Sequence, residues 1–182
     1  MVKTVSIHGA EVRCAQGKPK YSQMEVERRW LADESFSKVI QDNAFFNITD
    51  KYYPDTRTRL GKFLDPATGK GIYKLTKKYG ISNPPYDFIT SIYLNEKEYI
   101  LYDSLPGWVL EKARYQYVDG EDSYCIDIFS KALEGLIIAE KEYASPQEVE
   151  DSKTPNFAVQ EITGVIKYTG YQLAKFSHQN GG

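Results

Sequence analysis

Four segments of this chain that read as strands place like charges two residues apart: Glu25-Val-Glu27, Arg57-Thr-Arg59, Lys112-Ala-Arg114 and Glu140-Lys-Glu142. Side chains alternate between the faces of an extended strand, so each pair projects from one face with its charges about 7 Å apart. Charges held in this way repel each other. A fold that turns acidic pairs and basic pairs onto the inner faces of neighbouring strands makes a polar cavity. Its carboxylates can hold a divalent cation, and its Lys and Arg can hold a polyanion such as linked phosphates. The plainer reading is the solvated face of an antiparallel sheet, although such a face more often mixes signs and includes Thr.

The remaining composition narrows the options. A chain of 182 residues fits one domain and can bury a core without disulfides. With 23 basic and 25 acidic residues the net charge is −2, which is not the basic footprint of a nucleic-acid binder. Cys14 and Cys125 are far apart and lack metal-ligand spacing, so they read as plain thiols in a reducing compartment. His8 and His178 lie near the termini, which argues against histidine acid–base chemistry and histidine–zinc sites. No signal-peptide core or membrane span is legible, so a soluble cytoplasmic protein is expected. Fifteen tyrosines favour a β-rich fold and offer a surface on which two copies could pair as a homodimer.

Residues 1–23, punctuated by Gly9, Gly17 and Pro19, read as an extension in which Val5 to Ile7 alone suggests a strand. The main domain is expected over 24–176 and a tail over 177–182. Strands are expected at Glu25 to Leu31, Phe45 to Tyr53, Thr56 to Leu64, Ile72 to Tyr79, Phe88 to Leu94, Val109 to Val118, Tyr124 to Phe129 and Leu136 to Tyr143, with a short strand at Val159 to Ile162. Helices are expected at Asp33 to Gln41, Glu96 to Leu105, after the capping box Ser145-Pro-Gln-Glu148, and at Tyr171 to Phe176. Loops are expected at Asp65 to Gly71 and Ser82 to Pro85. Gly69-Lys70-Gly71 lacks the spacing of a phosphate loop. About eight mostly antiparallel strands with three or four helices make a β-dominated α+β fold.

In this order the motifs resemble the CYTH superfamily, the triphosphate tunnel metalloenzymes, from Met24 to about Lys175. Glu25-Val-Glu27-Arg28-Arg29 stands where that family opens with Glu-x-Glu-x-Lys. The Arg57/Arg59 strand, Leu75-Thr-Lys-Lys78, Glu111-Lys-Ala-Arg-Tyr115, Ile126-Asp-Ile-Phe129, Ala139-Glu-Lys-Glu-Tyr143 and Glu161-Ile-Thr163 follow in sequence. The resemblance implies a closed eight-stranded antiparallel β-barrel with a polar interior. It implies that Glu25, Glu27, Glu140 and Glu142, with Asp127 in support, bind Mg²⁺ or Mn²⁺. Arg29, Arg57, Arg59, Lys78, Lys112 and Arg114, with Lys74 as a weaker addition, would hold phosphate oxygens.

The implied activity is metal-assisted hydrolysis of inorganic tripolyphosphate or of an organic triphosphate such as a nucleoside or thiamine triphosphate. Lys112 is the candidate for preparing the water, a role that needs a depressed lysine pKa. The alternative is a lysine–tyrosine pair, with Arg29 in the lysine's place and Tyr52 or Tyr53 as the tyrosine. Two departures bear on this. Arg29 keeps the charge of the family's lysine but does not readily deprotonate. The Arg-x-Glu-x-Glu strand of many members is replaced by Phe88-Ile-Thr-Ser-Ile-Tyr93, and Gly61 continues the Arg57/Arg59 face where relatives keep Arg. A class IV-type adenylate cyclase and a phosphate-polymer or nucleotide-binding module with little turnover are the competing functions.

Overall fold

The computed structural model describes residues 2–7, 10–15, 18–80 and 85–181, with side chains from residue 18 onward. His8, the Cys14 side chain and most of the Ser82 to Pro85 loop therefore fall outside the described part.

The chain opens with β1 (Val2–Ile7) and β2 (Ala10–Ala15), an antiparallel ribbon of its own in which Val2 faces Ala15 and Ile7 faces Ala10. The sequence suggested only the first of these strands. Pairing with β1 supplies what the local pattern of Glu11 to Ala15 does not advertise.

Next come β3 (Gln23–Ala32), a 3-10 turn at Glu34–Phe36, α1 (Ser37–Ile40), β4 (Phe45–Tyr52), β5 (Thr58–Leu64), β6 (Gly71–Lys78) and β7 (Tyr86–Leu94). After α2 (Glu96–Asp103) follow β8 (Trp108–Asp119), β9 (Asp122–Phe129), β10 (Ile137–Glu142), α3 (Pro146–Asp151), β11 (Ala158–Glu161) and α4 (Gly170–Asn180). Around the sheet the order is β3, β7, β6, β5, β4, β8, β9, β10 and back to β3, every pairing antiparallel. Closure leaves no free edge on these eight strands. The short β11 pairs with the last residues of β3, beyond the stretch that β7 occupies.

Local chemistry sets the boundaries. Asn95 and Glu98 form a reciprocal capping box at α2, and Ser145 accepts from the Glu148 N–H ahead of α3. Asp33 caps as expected, but the helix predicted to reach Gln41 is a 3-10 turn followed by a single α turn. Gly120, at φ +62°, makes the tight β8–β9 turn. The predicted tail boundary at Phe176 falls inside α4, which continues to Asn180. No helix among the described residues is long and apolar enough to cross a membrane.

A barrel with charges inside must bury its apolar side chains elsewhere. One cluster lies on the outer face, where Trp30, Ile126, Ile137 and Phe36 are covered by Ile40 and packed against Phe157. The other closes one end, where Leu110, Phe129 and Ile138 meet Leu133, Ile162 and the Leu173/Ala174 stripe of α4.

Candidate active site in the barrel

The interior is a cavity of about 960 Å³. Glu25, Glu27 and Arg29 enter it from β3, because on the opposite face Val26 is buried and Trp30 joins the outer apolar cluster. Glu140 and Glu142 enter from β10. Across the β3–β10 pair, Glu140 lies opposite Arg29, whereas Glu142 lies directly opposite Glu27. Two carboxylates in register destabilise a sheet unless a cation sits between them.

Cations line the rest of the wall: Arg59 from β5, Lys74 and Lys78 from β6, and Lys112 and Arg114 from β8. Arg57 also lines the cavity, but it precedes β5, is exposed, and packs over Gly80. Gly80 has φ +61°, a conformation that favours glycine, and a Cβ there would come 2.0 Å from the Arg57 guanidinium and push it aside. Arg57 and Arg59 thus reach the same cavity, as their spacing suggested, although Arg57 stands one residue ahead of β5, its carbonyl accepting from the Lys78 N–H at 3.0 Å.

The charges are extensively paired. Lys78 donates to Glu25, and Arg114 donates to Glu140. Arg29 donates to Glu140 Oε1 at 3.0 Å and to the Tyr168 carbonyl at 3.0 Å. Beneath Lys112 and Arg114 lies Asp127, fully buried: Lys112 Nζ donates to its Oδ2 at 2.6 Å, and the Arg114 fork donates to both of its oxygens at 2.6 Å. Asp127 does not line the cavity. In the free protein it serves as the counter-charge that two buried cations need.

The two acidic strands differ electrostatically. Burial pushes the Glu140 carboxyl up, but Arg114 and Arg29 outweigh it and hold the group well below the usual carboxylate range. Glu27 goes the other way: burial, then the neighbouring Glu140 charge, raises it from 4.5 to about 7, with Lys78 opposing. Lys78 is held above its ordinary value by Glu27 and Glu25 against the downward push of burial. Lys74 is lowered by burial and by Arg59.

Solved structures share this architecture. A structure of the hypothetical protein NE1496 matches with a TM-score of 0.54 and 21% identity, covering 82% of this chain and 97% of that one. A second NE1496 structure, described as an inorganic triphosphatase, matches with a TM-score of 0.53 and 20% identity, covering 82% and 93%. No family model matches the chain, and neither does any curated protein. The chain shares the closed antiparallel barrel fold of these structures.

In this barrel Glu25, Glu27, Glu140, Glu142, Arg29, Arg57, Arg59, Lys74, Lys78, Lys112 and Arg114 all line the cavity. Of the two tyrosines, Tyr52 faces the cavity and accepts from Arg59 at 3.4 Å, while Tyr53 is buried and donates to the Tyr102 carbonyl at 2.9 Å. Three cavity carboxylates escaped the sequence reading, one of them Asp55 in the turn before β5. Asp87, opposite Glu25 across β3–β7, lines the cavity and accepts from the Gly80 and Phe88 N–H groups. It was missed because β7 begins at Tyr86, two residues before the predicted strand. Asp50 of β4 is 1% exposed and also lines the cavity. Aspartate is depleted from strand interiors, and its alternation with Ile48 and Tyr52 was the available signal.

A divalent cation suits this donor set in chemistry: Glu25, Glu27 and Glu142 offer hard oxygen ligands, and the crowding that lifts Glu27 is what a cation relieves. Among the described residues, no group of three acidic, His or Cys side chains is arranged to hold a metal as it stands. Glu25 and Glu140 are turned toward their basic partners instead.

Proposed function

We propose that the tunnel binds a triphosphate and, with Mg²⁺ or Mn²⁺, hydrolyses one of its phosphoanhydride bonds. The observation that carries this reading is the in-register Glu142–Glu27 pair facing a wall of five cations, Arg59, Lys74, Lys78, Lys112 and Arg114. Neither set gains from facing water alone, and a metal–polyanion complex satisfies both. The name inorganic triphosphatase carried by NE1496 supports the same direction.

Glu25, Glu27 and Glu142 would hold the cation, which when bound supplies charge neutralisation at phosphate oxygens and a more acidic water. The arginines grip the chain by planar forks, and the lysines act as point charges. Water oxygen attacks the terminal phosphorus, the bridging P–O bond breaks, orthophosphate and a diphosphate-ended product leave, and the water proton passes to solvent. Lys112 is the residue assigned to orient that water. It already donates to Asp127 at 2.6 Å, which fixes its ammonium at the cavity wall. Arg29, paired with Glu140, is assigned to charge stabilisation in place of a proton-transferring lysine, with Tyr52 beside Arg59 as a hydroxyl donor.

The test is phosphate release from tripolyphosphate, ATP and thiamine triphosphate with each metal. Metal-dependent release that Glu27→Gln abolishes is expected, and no release from any substrate overturns the hydrolase. Cyclic AMP formed from ATP would mark a cyclase instead. Lys112→Met is expected to lower kcat about 100-fold while KM changes little, as for a group acting mainly in the transition state. Unchanged turnover removes Lys112 from that role. The completed ion pairs at Glu25 and Glu140 favour one second reading, tight binding without turnover, which thermal stabilisation by tripolyphosphate alone would reveal.

A further inference from the structure

Asp50 is the one cavity carboxylate whose position a bare phosphate chain does not explain. It is 1% exposed, its Oδ1 has no hydrogen-bond partner, and its nearest cation, Arg59, stands 3.6 Å from Oδ2. A buried carboxylate oxygen left unpaired is costly. The space it occupies is specific to this pairing: Gly61 lies directly opposite, and a Cβ there would sit 3.0 Å from both Asp50 Oδ1 and the Phe63 ring.

Arg59 and Lys74 lie on one side of Asp50, and apolar side chains supply other neighbours. Leu110 is its other cross-strand neighbour, and Ile48, Phe63 and Phe129 line the same cavity. Phosphate oxygens carry negative charge and cannot donate a hydrogen bond, so this wall opposes a polyphosphate chain. It suits an uncharged, partly apolar group that presents an N–H or O–H. A cavity of about 960 Å³ is at the upper end of small-molecule sites, roomier than three linked phosphates need.

We infer that Asp50 is a specificity-determining residue: it accepts a hydrogen bond from a donor-bearing organic group attached to the triphosphate, and it disfavours phosphate in that part of the tunnel. This rests on the triphosphate reading above. Wild-type protein therefore binds ATP or GTP more tightly than tripolyphosphate.

The experiment is calorimetric titration of wild type and Asp50→Asn with tripolyphosphate, ATP, GTP and thiamine triphosphate, each with Mg²⁺. Asn preserves volume but presents an amide where the carboxylate stood. Affinity for at least one organic triphosphate should fall about 10- to 100-fold, the size of a lost hydrogen bond to a charged group, while tripolyphosphate binds equally or more tightly. Retained tripolyphosphate binding shows that the variant is folded. Should the free variant melt early, Asp50→Ser is read in the same way, its small side chain removing the charge without crowding Gly61. An equal loss for every ligand would reduce Asp50 to a support for Arg59 and overturn the inference. Tripolyphosphate as the tightest wild-type ligand overturns it too, while leaving the triphosphate reading intact. Binding of none of the four by wild type overturns both.

Discussion

Glu27→Gln will stabilise the free protein at pH 8 while removing its response to metal and triphosphate. Burial and the nearby Glu140 charge lift the Glu27 carboxyl from 4.5 to about 7 in the folded chain. A carboxyl raised on folding contributes stability that is fully present below about 4.5 and is lost as pH rises through about 7. At pH 8 the folded state therefore carries an unfavourable charge, and the gap between 4.5 and about 7 corresponds to about 3 kcal/mol. Gln at this position removes that charge. A domain of this size shifts its melting point by about 2–4 °C per kcal/mol, so the variant should melt roughly 5 °C or more above wild type at pH 8 and show little advantage at pH 4.5.

The same group links metal binding to pH. A cation at Glu25, Glu27 and Glu142 must displace the Glu27 proton, so Mg²⁺ or Mn²⁺ affinity should fall about tenfold from pH 8 to pH 6. Paired melting curves with and without Mn²⁺ across that range measure both effects. Equal melting points for wild type and Glu27→Gln at pH 8 would place Glu27 in a relaxed, solvated site and remove the argument that the acidic wall is held for a ligand.

Asp127→Asn will be the most destabilising single change in the tunnel. The Asp127 carboxylate is fully buried and receives Lys112 and both arms of Arg114 at 2.6 Å. Neutralising it leaves two largely buried cations with Glu140 as their remaining neighbour of opposite charge. Breaking a buried pair by removing one partner costs about 3–5 kcal/mol. The expected drop in melting temperature is about 10 °C. Tripolyphosphate should recover part of this loss, because its oxygens supply the missing negative charge, and the recovery should exceed the shift that the same ligand gives wild type. A melting point within about 2 °C of wild type would show that Asp127 is not the anchor of these cations. A change seen only in metal affinity would return it to the metal site that the resemblance implies.

Both effects come from one design: charge is stored inside the barrel and apolar mass outside it. The acid pairs at Glu25/Glu27 and Glu140/Glu142 and the basic pair at Lys112/Arg114 each identified a strand and its inner face. Strand alternation is a property of the local backbone, so spacing alone carries that information. Asp33, Asn95-x-x-Glu98 and Ser145 likewise marked element starts, because capping is settled within a few residues.

Arg57 shows where spacing leaves a strand boundary open. It keeps the two-residue interval to Arg59 but lies before β5, against Gly80, because the β5–β6 pairing begins at Thr58 opposite Lys77. Asp127 shows a second limit. Its alternation against Ile126 and Ile128 was legible, but not whether it reaches the cavity, since that depends on Arg114 standing opposite it across β8–β9. What the sequence by itself determined is which side chains share a face and that like charges are gathered there. Closure of the barrel decided that Glu142 opposes Glu27 and that Asp87 opposes Glu25, and the β4–β5 register set Asp50 against Gly61 with one oxygen unpaired. Cross-strand register joins residues up to more than a hundred positions apart, and no local pattern encodes it.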